Sequence, residues 1–166
     1  RDEATAEQID AQQTMLQTIY EDVDALHNSL RKLQQVRTQV NTMMEREAGD
    51  DEIKDSGEKI IEKVDDVEDN LISPKQETFQ DVINFRNKLD VQLYQLMQTI
   101  DGGAPPLTGG EKELYEELNK AWQKEKNAVE GILDTDVPAF NKMLREKGVE
   151  YIAPKKENEE DKEVGM

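Results

Sequence analysis

The chain has 166 residues and a formal charge of −17, with 38 acids set against 21 lysines and arginines, a surface that repels phosphate backbones and argues against nucleic acid as a partner. It has no cysteine, which removes disulfides, thiolate metal sites and cysteine nucleophiles together. No apolar run approaches the roughly 18 residues that cross a bilayer, which argues against membrane insertion.

The length suits one domain with a core of useful size. Charged residues make up 36% and aromatics only 5%, yet the apolar residues recur at regular spacing, and a periodic stripe can be buried where a scattered composition cannot. Arg1-Asp2-Glu3 offers neither a basic nor an apolar leader region, and the chain does not begin with Met. It is expected to be a fragment or a processed product.

Ile9, Gln12, Leu16, Ile19, Val23, Leu26, Leu30, Leu33, Arg37, Val40 and Met44 follow one another at steps of three and four, the seam of a single long helix. Neither Gly nor Pro occurs before Gly49, so the spacing predicts helix from Ala4 to Ala48, with Ile9 to Met44 alone spanning about 50 Å. Gly49 is expected to end it in the left-handed conformation, with Asp50 and Asp51 suiting the start of the next helix. The second helix places Ile53, Gly57, Ile60, Val64, Val67 and Leu71 on one face, broadened by Ile61 and Ile72. Ser73-Pro74 closes it, because proline disfavours helix in the residue before it.

Between Pro74 and Asn84 the period lapses, although Phe79, Val82 and Ile83, with Phe85 just beyond, are too apolar for a freely solvated loop. A third helix is predicted from Phe85 to Ile100 with the face Phe85, Leu89, Leu93, Leu96 and Ile100. Asp101 to Pro106 breaks it. Thr108 or Gly110 then caps a fourth helix that buries Leu114, Leu118, Ala121, Trp122, Val129, Ile132 and Leu133. Pro138 leaves two possibilities: a kink, or a new helix capped by Thr135 or Asp136, and the second is preferred. Gly148 ends the last helix.

These elements predict an all-α fold, an antiparallel up-down-up-down four-helix bundle with two long and two shorter helices. Residues 1–153 form the bundle domain and 154–166 an acidic tail without apolar period, expected to be disordered. A long antiparallel coiled coil, dimerising through the first helix, is the rival architecture.

Few residues offer chemistry. A di-iron bundle needs two Glu-x-x-His pairs, and His27 is the single histidine. It reads as a half-exposed structural residue. Ser29, Ser56 and Ser73 lie in helical or pre-proline contexts outside any nucleophile elbow. Paired acids such as Asp65-Asp66, Glu116-Glu117 and Glu159-Glu160 are what 38 carboxylates produce by chance, and a bundle offers no obvious cleft to hold a pair across a glycosidic bond. The glycines at 102, 103, 109 and 110 lack the Lys-Ser/Thr ending of a phosphate loop and read as turns. Arg37 is expected to snorkel outward rather than pair with a buried carboxylate, and Trp122 and Tyr94 to be core aromatics. No catalytic, cofactor-binding or metal-ligating residue is assigned.

Four blocks carry a resemblance: Asn70-Leu71-Ile72-Ser73-Pro74, Gln80 to Asp90, Gly102-Gly103-Ala104-Pro105-Pro106, and Asp136-Val137-Pro138-Ala139-Phe140-Asn141. In order they are similar to the C-terminal helical region of large bacterial sortilin-like β-propeller proteins, which carry BNR-type repeats and are commonly labelled glycosyl hydrolases. The resemblance covers about half the chain, with a looser agreement from Asp22 to Arg37. It implies a non-catalytic accessory domain of an exported protein, periplasmic or extracellular. Any hydrolase chemistry would lie in the propellers. The partner it implies is the propeller region of the same protein or another protein; the alternative is a homodimer formed through the long first helix.

Overall fold

The computed structural model describes residues 3–72 and 88–149, and among them every regular element is helical. The elements are α1 (Ala6–Arg46), α2 (Asp51–Leu71), α3 (Leu89–Gly102), α4 (Gly109–Gly131) and α5 (Val137–Glu146). A π-helical turn, Ile132–Asp136, joins α4 to α5 without a break.

Capping fixes where the helices begin. Thr5 opens α1 and Thr108 opens α4 with the same reciprocal arrangement: the threonine hydroxyl accepts from the third backbone N–H, and Gln8 or Glu111 at that position accepts from the cap's own N–H. Asp50 opens α2 by accepting from Glu52 and Ile53. Thr108 rather than Gly110 is therefore the cap of α4. Gly49 does not adopt the expected left-handed conformation; Gly148 is the one glycine with positive φ, at 71°, among the described residues. There Val149 N–H reaches Leu144 and Gly148 N–H reaches Arg145, the double bond of a Schellman ending.

One core runs through all the helices. In α2 the six expected positions, Ile53, Gly57, Ile60, Val64, Val67 and Leu71, are all buried. In α3 the described face of Leu89, Leu93, Leu96 and Ile100 is likewise buried. Along α1, Ile19, Leu26 and Leu33 are fully enclosed, after which burial shifts to Val36, Val40 and Met43. A straight α-helix drifts against a strict seven-residue repeat, so the seam slides around the helix over this length.

Several expected core residues lie outside. Ile9, Tyr94 and Leu114 are among the exposed large apolar residues, and Ala121 is exposed as well. Ile9 sits near the start of α1, and Leu114 lines an open hollow beside Gln95 and Leu96 of α3. The third helix begins at Leu89, so Phe85 and the 74–84 connection fall outside the described residues, as does the tail 154–166.

At Pro138 the preferred break is not found. Asp136 is helical, with φ −71° and ψ −45°, and neither it nor Thr135 caps α5. The chain instead widens by one residue, Val137 N–H reaching back to Ile132. Proline has no N–H and its ring crowds the carbonyl four residues earlier, and a π turn relieves both at once.

Side-chain pairings locate the helices along α1. Arg37 of α1 pairs with Asp65 and Glu68 of α2. One turn or two further on, Gly57 lets α2 come close: a β-carbon there would lie 3.2 Å from Val40 Cγ1 and closer still to Met44. α3 meets the other end of α1, where Gln12 donates to Ile100 and Gly103. The arm formed by α4, the π turn and α5 packs along both, Tyr115 donating to Asp22 of α1 at 2.8 Å.

Candidate functional site

The residues that might have carried chemistry are dispersed. His27 is exposed on α1, and no group of three His, Asp or Glu side chains among the described residues could hold a metal ion. Ser56 donates its hydroxyl to the Met143 sulfur at 3.7 Å; Ser73 lies outside the described residues. Glu116 and Glu117 are exposed. The start of α4 is closed by its own Thr108–Glu111 box, which supports the turn reading of that glycine-rich stretch.

Arg37 departs from expectation. It does not snorkel to solvent but forks between Asp65 and Glu68, each at 2.5 Å, with three-quarters of its side chain covered. Gln34 supplies Glu68 with a second donor at 2.8 Å. This cluster ties α1 to α2 and is structural.

A groove lies between α2 and the α4–π–α5 arm. Its upper part, about 480 Å3, is floored by Ile60, Phe140 and Met143 and edged by Lys59 and Glu62. Its lower part, about 400 Å3, is floored by Val67 and Ile132 and edged by Lys124. Lys63, Asp66 and Asp136 line both parts. At the divide Lys63 donates to the two oxygens of Asp136 at 3.1 and 3.0 Å, an ion pair that crosses the groove.

Local sequence keeps the groove open. On the α4–α5 side stand Ala128, Gly131 and Ala139, and a β-carbon on Gly131 would meet nothing within 4 Å. The π turn adds the extra residue that carries this face past Asp136. On the α2 side the core positions face inward, and the residues beside them, Lys59, Glu62, Lys63 and Asp66, form the rim.

Glu125 lies at the lower end, only 8% exposed, where its Oε1 accepts from Asn70 Nδ2 at 3.0 Å. Sequence reasoning passed over it, although Leu118, Trp122, Glu125 and Val129 keep the four-three-four spacing of the buried face. A carboxylate at a seam position was the available signal.

At the upper end Lys147 bridges Asp50 at 3.0 Å and Glu52 at 2.8 Å. The Asp50 carboxyl is held below its usual range by the Lys147 hydrogen bond and by the Ile53 amide. Lys147 is held above its usual range by Glu52 and then Asp50. Burial, and next the hydrogen bond to Asp22, raises the Tyr115 phenol, so it stays a donor.

The groove thus combines an apolar floor with a rim of both charges, Lys59, Lys63 and Lys124 beside Glu62, Asp66 and Asp136. Comparison of the chain with protein-family models, with curated proteins and with solved structures gives no match. Among the described residues no helix is long and apolar enough to cross a membrane.

Proposed function

We propose that this chain is a non-catalytic accessory helical domain that works by docking to protein. The observation that carries the proposal is the groove beside α2, an open apolar floor between charged rims set on a continuous core. The docking partner is the propeller region of a sortilin-like protein such as the C-terminal half of the chain resembles, or another protein, in the periplasm or outside the cell. Hydrolytic chemistry, where the parent has it, belongs to the propellers. The formal charge of −17 favours protein over nucleic acid as the partner.

The finer architecture proposed with this role is an antiparallel bundle. It is supported by pairings that run in opposite senses along α2 and its neighbour: Asn70 with Glu125, Lys63 with Asp136, Ser56 with Met143, and Asp50 with Lys147. α3 shares surface hollows with α4 in the same sense, Leu89 beside Ala121 and Thr99 beside Thr108. On these pairings α2 and α3 follow one another down the length of α1. We therefore read three arms, α1, α2 with α3, and α4 with α5, in place of four helices in strict alternation.

The test is to titrate the propeller region of the parent protein into this domain by calorimetry. Saturable binding supports docking. Hydrolysis of glycosides or esters by the isolated domain, abolished by a single carboxylate substitution, would overturn the non-catalytic assignment.

One observation favours self-association as a second role: Ile9 and Tyr20 of α1 are 44% and 59% exposed. Light scattering that gives 19.0 kDa over a wide concentration range would eliminate it.

A further inference from the structure

We infer that α1 pairs with α1 of a second copy of this chain, antiparallel, along an outer seam of the helix that lies beside the one serving the core. The inference rests on the self-association role given above and fixes its geometry.

Ile9, Gln13, Leu16, Tyr20, Val23, His27 and Leu30 follow one another at steps of four and three, the spacing at which two helices interlock. The inner stripe, Gln12, Ile19, Leu26 and Leu33, is buried in the molecule's own core. The outer one is not. Tyr20 is 59% and Ile9 44% exposed, Gln13 and His27 are exposed, and Leu16, Val23 and Leu30 are half-buried. Gln34 continues the spacing, so the seam from Ile9 is about 38 Å long and, for a single helix face, about 10 Å wide. That strip is smaller than the roughly 800 Å2 that each partner of a lasting interface buries. The dimer is therefore a weak one, filled only in the upper micromolar range.

Charge selects the partner and the register. One flank of the seam is the buried inner stripe; on the open flank stand Asp10, Gln17, Asp24 and Arg31, spaced by seven and all exposed. Arg31 donates to Asn28 of its own helix, and among the described residues neither Asp10 nor Arg31 has an ion-pair partner. Flanking charges of this kind set partner and orientation in paired helices. In an antiparallel pair the two open flanks face each other. With Tyr20 of each copy opposite Val23 of the other, Asp10 meets Arg31 and Gln17 meets Asp24, each twice by the two-fold symmetry. Sliding the pair by seven residues in one direction sets Asp10 against Asp24, and in the other sets Asp24 against Asp24. A parallel pair opposes the open flank of one copy to the buried flank of the other and leaves both Arg31 side chains without an acid. An acid at one end of the flank and a base at the other are matched by the same flank reversed, which is what a second copy supplies.

Sedimentation equilibrium of the full chain from micromolar to millimolar concentration is expected to give 19.0 kDa when dilute and a rising average mass when concentrated. Tyr20→Glu is expected to weaken association at least tenfold with the melting of the dilute chain unchanged. Arg31→Asp is expected to weaken it severalfold, and Asp10→Arg added to Arg31→Asp to restore it. The chain has no cysteine, so single cysteines report the register when a short bismaleimide is added to concentrated protein. A mixture of Gln17→Cys and Asp24→Cys chains is expected to cross-link into a dimer, and neither variant by itself. Cross-linking of Gln17→Cys alone or of Asp24→Cys alone, or association indifferent to Tyr20→Glu, would overturn the inference while self-association stands. A mass of 19.0 kDa at every concentration removes both.

Discussion

The side-chain amide of Gln12 in α1 donates to the carbonyl oxygen of Ile100 at the end of α3, 2.6 Å away and buried. The same nitrogen reaches Gly103 O at 3.0 Å. The last carbonyls of a helix have no partner within it, so a polar residue in an apolar seam here completes α3. The Ile100 carbonyl also accepts from Gly103 N–H at 3.2 Å, so Gln12→Leu keeps the volume and removes one of its two donors, at a cost of about 0.5–1.5 kcal/mol. Gln12→Glu sets a carboxylate against two carbonyl oxygens and is expected to be worse at neutral pH. Its folded pKa is raised, so the lost stability returns as pH falls and the protonated acid becomes a donor. Thermal melts of both variants at neutral and acid pH check this.

Core positions can be separated from their neighbours by the same measurement. Leu26 and Leu93 are fully buried, and replacing either by alanine is expected to cost about 2–5 kcal/mol. Tyr94, adjacent to Leu93 in sequence, is 50% exposed, and Leu114 is 43% exposed. Alanine at either is expected to change stability by no more than about 0.5 kcal/mol. Equal losses at Leu93 and Tyr94 would contradict the assigned faces.

What could be read in the sequence follows from how local the cause is. All six buried positions of α2 and the four described ones of α3 follow from spacing, because an amphipathic helix needs one partner surface whatever that surface is. The Thr108 cap was legible from its position after a breaker, and the Thr5 box, with Gln8 three residues on, had the same signature and was passed over. Helix order along α1 was not legible. It depends on which half of a 41-residue helix each shorter helix covers, and apolar seams of similar residues do not distinguish the halves. The fork of Arg37 between Asp65 and Glu68 depends on that same register. The groove was out of reach for another reason, since it arises from two helices and a π turn held side by side.

The Lys147 bridge gives a pH dependence with opposite signs at the two ends. Asp50 is held below 3.8, so its contribution is present above that value and lost as pH falls through the folded-state pKa. Lys147 is held above 10.5, so its contribution is present below that value and lost as pH rises through the folded-state pKa. Lys147→Met should therefore lower the melting temperature by a constant amount at intermediate pH, with the gap from the parent closing below 3.8 and above 10.5. High salt should shrink the gap at intermediate pH, since the pair is open to solvent. A gap indifferent to pH would mean that Lys147 acts through its methylenes alone.

The π turn makes the sharpest structural prediction. Buried positions along the third arm run Leu118, Trp122, Glu125, Val129 and Ile132, and then Phe140 and Leu144. Continued in four-three steps from Ile132, the pattern would have buried Ala139 and Met143 instead, one residue earlier. The turn therefore takes up one residue and returns Phe140 and Leu144 to the core. Removing Thr135, which is exposed, together with Pro138→Ala should let the arm become a continuous α-helix with both residues still facing inward. That variant is expected to melt close to the parent. Inserting an alanine after Thr135 turns α5 by about 100°, the angle between successive residues at 3.6 per turn. Phe140 and Leu144 then face away from α2, and the loss should be several kcal/mol, on the order of two large-to-small core substitutions. Circular dichroism melts of the two variants decide the matter: if insertion and deletion are equally damaging, the turn is required for itself and not for the residue it absorbs.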